Sequence, residues 1–287
     1  MITVLRRSVT WLRRLQGTQR VAAALARGAA SSGTRILDPK DPATWEFSAF
    51  SQNGEDGILD YLTRHLLTPN SYFIEIGASS GLENNSSWLA IARRFSGLMV
   101  ESDPRAHAYA RDAIVAPSTI NVSLLLLRVH LGNVDAVLSA AIHDDPDVFS
   151  LDIDSIDYYI VEECLKRGLR PKILALEYNS AFGPTRACTV RYTFPWGFDT
   201  PPGQNLYYGA SVSAWRTLLH RFGYRFLTVE RNGVNAFFVR PDALLPGVLD
   251  GLRSVEYREN AFQFRRHNRA RWEKQLAMIA HMDIVDV

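Results

Sequence analysis

Hydrophobic and polar positions along this chain follow two periods, and their alternation sets the expected order of elements. In SQNGEDGILDYLTRHLL (51–67), Ile58, Leu62 and Leu66, with Leu59 and Tyr61 beside them, have helical spacing, and Pro69-Asn70 stops the helix. The apolar run Tyr72-Phe73-Ile74-Glu75-Ile76 then breaks on Gly77. Small residues follow (Ala78, Ser79, Ser80, Gly81), then a helix-compatible stretch, then a second apolar run, Leu98-Met99-Val100, ending on Glu101. A third strand is expected within 120–131, a short helix over 134–142 and a fourth strand over 148–152. A helix over 157–167 and a fifth strand over 172–178 complete the alternation. Strands alternating with helices predict a mostly parallel, doubly wound sheet. After a helix over 211–222, capped by Ser211 or Ser213, two runs (YRFLTVE and VNAFFVR) flank Arg231-Asn232-Gly233. An Asn-Gly step in that position predicts an antiparallel C-terminal β-hairpin closing the sheet. The fold expected is therefore an α/β, Rossmann-like one, with a final antiparallel strand that plain dinucleotide folds lack. No internal repeat is present at a 20–50-residue period.

Charge divides the chain. Residues 1–37 hold seven arginines (6, 7, 13, 14, 20, 27 and 35) and no acid. Removing these from the 32 basic residues leaves 25 against 30 acidic, so the body carries about −5 and the basic pI gives no reason to expect nucleic acid. Ile2, Leu5, Val9 and Leu12 share one face of the tail and Arg6, Arg13 and Arg20 another. That pattern fits an interfacial helix on an anionic membrane, a mitochondrial presequence or a docked extension. The expectation is a cytoplasmic protein whose tail makes peripheral contact with the inner face of the membrane. GAASSG (28–33) reads as a linker. No apolar run approaches the 18 or so residues of a spanning helix, and Cys164 and Cys188 form no metal or redox pair and are expected as free thiols. Three segments result: a basic amphipathic extension (1–37), a central domain (47–245) and a basic, aromatic, helical C-terminal extension (246–287). A homo-oligomer is compatible with this arrangement.

The glycine turn lets backbone approach a ligand, and a carboxylate ending the second strand suits the two hydroxyls of a ribose. Gly77, Ser79, Gly81 and Glu101 are therefore cofactor candidates. Glu75 is expected to approach the ligand's amino group, and Asn84 is assigned to the same site, its other reading being a first-turn helix residue. In LDIDSID, Asp152, Asp154 and Asp157 cluster, with Asp152 ending the fourth strand on the edge where open α/β sheets bind ligands. The fifth strand ends nearby in Glu177-Tyr178-Asn179. Asp154, Glu177 and Asn179 form a donor set that suits a hard cation such as Mg²⁺, which would lower the pKa of a bound hydroxyl. The competing reading makes Asp154 or Ser155 a helix cap; that accounts for one carboxylate but not for Glu177 and Asn179. Asp152-Ile153-Asp154 is also the D-x-D of many nucleotide-sugar glycosyltransferases, which is the alternative function, beside a non-catalytic binding protein. The long segment 182–209 holds four prolines and four glycines. Its Arg186, Arg191, Tyr192, Trp196, Tyr207 and Tyr208 are candidates for an acceptor pocket, or for a surface flap or subunit contact.

The order E-x-G-x-x-x-G resembles motif I of class I S-adenosylmethionine-dependent methyltransferases. SQNGEDGIL, FIEIGASSGLENNSSWL, LMVESDP, SLDIDSIDYYI, LALEYNSAFGP, NLYYGASVSAW and GVNAFFVR together resemble the FkbM-like branch, over about residues 47 to 240. The resemblance implies O-methylation of a sugar or other small hydroxylated acceptor, in the setting of polysaccharide synthesis. It places Gly77, Ser79 and Gly81 by the methionine part of the cofactor, Glu101 by its ribose and Asp152 near the sulfonium. Macrocin-type relatives use Mg²⁺ held by an acid after the fourth strand and acids after the fifth. Here that implies Asp154 with Glu177 and Asn179. Those relatives carry a histidine base three residues after the metal acid, a position that falls on Asp157, so Asp157 or the metal alone is left to serve.

Overall fold

The computed structural model describes residues 2–117, 120–195 and 206–287, with side chains from residue 7 onward. In chain order the first elements are α1 (Ile2–Thr34), α2 (Glu55–Arg64), β1 (Tyr72–Ile76), α3 (Ser87–Ile91), β2 (Ser96–Glu101) and α4 (Pro104–Ala110). Then come β3 (Val122–Leu126), α5 (Val134–Ala140), β4 (Val148–Leu151), α6 (Asp157–Lys166), β5 (Ile173–Glu177) and β6 (Cys188–Val190). The chain ends with α7 (Val212–Arg221), β7 (Arg225–Val229), β8 (Asn235–Val239), α8 (Ala261–Arg266), α9 (Trp272–Ile279) and β9 (Ile284–Asp286).

Seven strands form one sheet in the order β3-β2-β1-β4-β5-β8-β7. The first five are parallel, and β8 lies antiparallel between β5 and β7. This is the Rossmann-like architecture closed by an antiparallel hairpin that the hydrophobic pattern predicts. Every position of β1 and β5 is buried, because helices cover both faces of the sheet. Alternation along the strands sorts their side chains into two cores. Ile74, Val100, Phe149 and Leu176 face α6 and α7 through Ile160 and Trp215. Phe73, Met99, Val148 and Ala175 face α2 and α3 through Ile58, Leu62 and Leu89. The chain leaves β3 at the edge and returns to β4 beside β1, so the switch point lies between β1 and β4, and a crevice opens at their carboxyl ends.

Three elements depart from expectation. Helix α2 begins only at Glu55, because the Asp56 carboxylate gathers the N–H groups of Ala49, Phe50 and Ser51 (2.7, 2.7 and 2.9 Å) and holds 49–54 as a loop. The tail helix runs through 28–33, where a linker is expected. Gly17 and Gly28 let it lie close on Ala113 and Trp88, and Ala24 is buried against Phe47, Phe50 and Ile114. Four of the tail's arginines engage the body: Arg13 pairs with Asp112 (3.1 Å), Arg20 with Glu83, and Arg27 and Arg35 donate to the carbonyls of Ala49 and Trp45, while Arg7 and Arg14 stay exposed. Val9, Trp11, Leu12 and Leu15 remain exposed. The C-terminal segment is not one helix. Asn268 and Arg269 take left-handed φ values (52° and 61°) that end α8, and β9 pairs with β6 in a second, two-stranded sheet.

Opposite the crevice, Lys172 and Asp147 form a fully buried ion pair (2.7 Å). Asp147 also accepts from the N–H groups of Asn70 and Ser71. Lys172→Met leaves that carboxylate buried without its counter-charge. It should cost about 3 kcal/mol, read as a lower urea midpoint with an unchanged m-value; an unshifted midpoint would show the pair to be dispensable.

Candidate active site

The crevice at the carboxyl edge is a cavity of about 720 Å³. One wall is the turn after β1: Gly77 and Ser79, with Ile76 at the strand end. Gly77 (φ 92°) has to be glycine, since a Cβ there would run into the Asp152 carbonyl oxygen. The Glu101 side chain closes the end of β2. Its carboxylate accepts from the backbone N–H groups of Ser79 and Asp103 (both 2.6 Å), which fix it while leaving it on the cavity wall. Leu127, Arg128 and Val129 follow from the segment after β3, and Asp152, Ile153 and Asp154 from that after β4. Asp154 holds a left-handed φ of 54°, a strained conformation for a residue with a Cβ, at the exposed rim.

The acids gather as their spacing predicts, though in different roles. Carboxylate oxygens of Asp152, Asp157 and Glu177 lie within 4.8 Å of one another. Burial, then the charges of Asp154 and Asp157, raise the pKa of Asp152 well above the usual range. Glu177 is raised for the same reasons, burial first and then the charges of Asp152, Asp154 and Asp157. Among the described residues Glu177 Oε2 has no hydrogen-bond partner. The Tyr208 hydroxyl accepts from Gln263 Nε2 (2.6 Å).

Five expected site residues do other work. Asp157, placed as a base, accepts from the N–H groups of Ile153 and Ser155 (both 2.9 Å) and fixes the turn that leads into α6; burial brings its carboxyl to about 6. Asn179, placed as a metal ligand, is fully buried. It donates to the carbonyls of Leu206 and Tyr208 (2.6 and 3.0 Å) and accepts from Ala181 N–H, so its amide is consumed in tethering two segments. Glu75, placed by the cofactor's amino group, instead accepts from Asn85 N–H, Ser86 N–H and the Ser86 hydroxyl, and burial brings it to about 7. Asn84 holds the same loop, donating to the Ala78 carbonyl and accepting from Ser87. Gly81 (φ 72°) turns the chain behind the cavity wall.

From 182–209, Tyr207 and Tyr208 reach the cavity. Arg186 and Arg191 instead pair with Asp286 and Asp283 of the C-terminal strand, Tyr192 packs on Tyr159, and Trp196 lies outside the described residues. The far wall is one that sequence reasoning missed: Asn260, Phe262, Gln263, Arg266 and His267 of the C-terminal segment. Its aromatic and basic composition was the only signal. The free thiols Cys164 and Cys188 are buried, which pushes them up to about 12 and about 11 and leaves them inert.

No known family and no curated protein matches the sequence. Among solved structures, the chain is similar to the N-terminal domain of EvdMO1 crystallised with SAH and D-fucose (13% identity, 59% of this chain and 75% of that one, TM-score 0.38). It is also similar to the mitomycin 7-O-methyltransferase MmcR (16%, 62% of this chain and half of that one, 0.37). A third is the precorrin-6y C5,15-methyltransferase from Geobacter metallireducens GS-15 (15%, 63% and 85%, 0.37). These likenesses concern the fold, which the strand order already defines.

The carboxyls of Asp56 and Glu75 (about 7), Asp157 (about 6) and Glu230 (about 8) all lie above their unfolded values because burial disfavours the charge. Each binds its proton more tightly folded than unfolded. The stability this gives is full below the unfolded values and is lost as pH rises from about 4.5 through about 8. The melting temperature should therefore rise between pH of about 8 and about 5.5, and Glu75→Gln should shrink that rise. A melting temperature that falls over the same interval would contradict the burial.

Proposed function

We propose that this chain is an S-adenosylmethionine-dependent O-methyltransferase of the FkbM-like kind. Its acceptor is a hydroxyl of a sugar or other small hydroxylated molecule in surface polysaccharide or glycoconjugate synthesis. The observation that carries the reading is convergence. A glycine turn, a backbone-fixed carboxylate at the end of β2 and the acids Asp152 and Asp154 after β4 all face one cavity at the sheet's switch point.

S-adenosylmethionine supplies an electrophilic methyl group on a sulfonium. Gly77 and Ser79 offer backbone to its methionine part, Glu101 accepts from its ribose hydroxyls, and Asp152 lies where a positive charge is welcome. The acid cluster favours that charge electrostatically, because a cation nearby offsets the mutual repulsion of its carboxylates. Tyr207, Tyr208 and Phe262 offer faces to a sugar ring, and their segments exclude water around the acceptor. Asp152, Asp157 and Glu177 also fit a divalent cation such as Mg²⁺, since the three carboxylates converge and, among the described residues, Glu177 Oε2 is a buried oxygen without a partner. A cation there would lower the pKa of a coordinated hydroxyl.

Calorimetric titration with S-adenosylmethionine and S-adenosylhomocysteine tests the reading. Binding in the micromolar range is expected, weakened about tenfold by Glu101→Ala, the loss of one or two good hydrogen bonds to a charged acceptor. No heat from folded protein, with stabilisation by UDP instead, would favour the D-x-D glycosyltransferase.

Peripheral membrane contact through the tail is a second proposal. Among the described residues no helix is long and apolar enough to cross a bilayer. Yet Trp11 and Leu12 stand 60% and 51% exposed on α1, with Arg7 and Arg14 exposed nearby and no acid on the helix. The protein should co-sediment with vesicles rich in anionic lipid, and Trp11→Glu should release it. Equal recovery with and without vesicles would remove the membrane from the account.

A further inference from the structure

The proposed reaction leaves one chemical need unmet: a group to take the proton of the acceptor hydroxyl. Asp157 is consumed by two backbone N–H groups, and Glu177 is buried and is not among the residues that line the cavity. We infer that His267, on the C-terminal wall, is the general base, an inference that rests on the methyltransferase reading of the same cavity. Its imidazole lines the cavity, and its Nε2 is buried and, among the described residues, has no hydrogen-bond partner. A buried polar atom without a partner is uncommon, since the great majority are paired.

The segment that carries it is held in place. His267 follows α8, one turn after Gln263, and its N–H donates to the Gln263 carbonyl (2.9 Å). Residues four apart share a helix face, so His267 lies on the side from which Gln263 reaches Tyr208. Helix α8 is bolted to the end of β5. Asn260 N–H donates to the Ser180 hydroxyl, which donates to Gln263 Oε1, while the Tyr257 hydroxyl donates to the Ser180 carbonyl (2.9, 3.2 and 2.8 Å). The acid cluster and the histidine are thus parts of one rigid frame, although about 90 residues separate Glu177 from His267 in the chain.

Charge supports the neutral form. Burial, then the neighbouring Arg266, lower the imidazole's pKa, so it is a free base near neutral pH. The other titratable and charged groups on the surrounding walls are Arg128, Glu101, Asp152, Asp154, Tyr207 and Tyr208. In the step itself, the acceptor oxygen forms its bond to the methyl carbon while the carbon–sulfur bond breaks and its electron pair returns to sulfur. The hydroxyl proton passes to His267 Nε2, leaving imidazolium, methyl ether and S-adenosylhomocysteine.

The test uses the full chain and His267→Ala and His267→Gln, with three readouts. Calorimetry with S-adenosylhomocysteine should give the same affinity as wild type within about twofold; loss of binding in wild type itself would sink the methyltransferase reading rather than this one. Release of S-adenosylhomocysteine from S-adenosylmethionine is then followed with methyl glucoside, methyl fucoside and catechol as probes. Both variants should lose about 10²- to 10⁴-fold in rate, together with the acid limb of the pH profile. NMR of labelled histidine, with His267→Ala assigning the signal, should show a pKa below 6.5 that shifts when S-adenosylhomocysteine binds. Retained rate and acid limb in His267→Ala would overturn the inference. So would a His267 pKa above about 7 in the complex, whether or not any probe is turned over.

Discussion

Burying an irregular loop leaves its backbone N–H groups without water, and each must find an acceptor or cost free energy comparable to a lost hydrogen bond. Most of the carboxyl edge of this sheet is built around that constraint. The β1–α3 loop folds onto Glu75, the segment before α2 onto Asp56, and the turn between β7 and β8 onto Glu230, which accepts from Asn232, Val234 and Asn235. The entry to α6 folds onto Asp157 in the same way. Each carboxyl offers several lone pairs to neighbouring donors, so one buried side chain satisfies two or three N–H groups and fixes the loop's shape. The shapes so fixed are what place Gly77, Ser79 and Asp152 around one cavity.

The two edges of the sheet treat buried charge differently. On the amino edge, Asp147 is neutralised by Lys172 and by two N–H groups, and the result is structural. On the carboxyl edge, Asp152 and Glu177 face each other, with Asp154 and Asp157 adding to the repulsion and no buried lysine or arginine among the causes of their shifts. A cluster of that kind holds protons in the absence of a cation and gives them up to one. This asymmetry gives the cavity its chemical character.

The C-terminal segment turns the crevice into a pocket. Strand β9 pairs with β6, the inserted segment's arginines grip Asp283 and Asp286, and α8 is tied to Ser180 and Tyr208. The insertion after β5 and the end of the chain therefore support each other, and together they form the wall that an acceptor would meet. Arg186 and Arg191, which look in the sequence like ligands for a substrate, are the fasteners of that wall.

The sequence by itself determined the sheet. Alternating apolar runs, the glycine turn, the terminal carboxylates Glu101 and Asp152 and the Asn-Gly hairpin are local signals, because strand period, glycine's φ range and turn chemistry act over a few residues. It also brought Asp152, Asp154 and Glu177 to one edge, since neighbouring parallel strands end together. Which of those side chains remain available was decided only by tertiary structure. Asn179 is consumed by carbonyls of Leu206 and Tyr208, Asp157 and Glu75 by N–H groups of folded loops, and four of the tail's arginines by acids and carbonyls of the body. Tertiary structure likewise brought His267 to the cavity. Hydrogen bonds between residues tens of positions apart leave no periodic trace along a chain, so the partners that disarm one carboxylate and leave another free become visible only once the chain has folded.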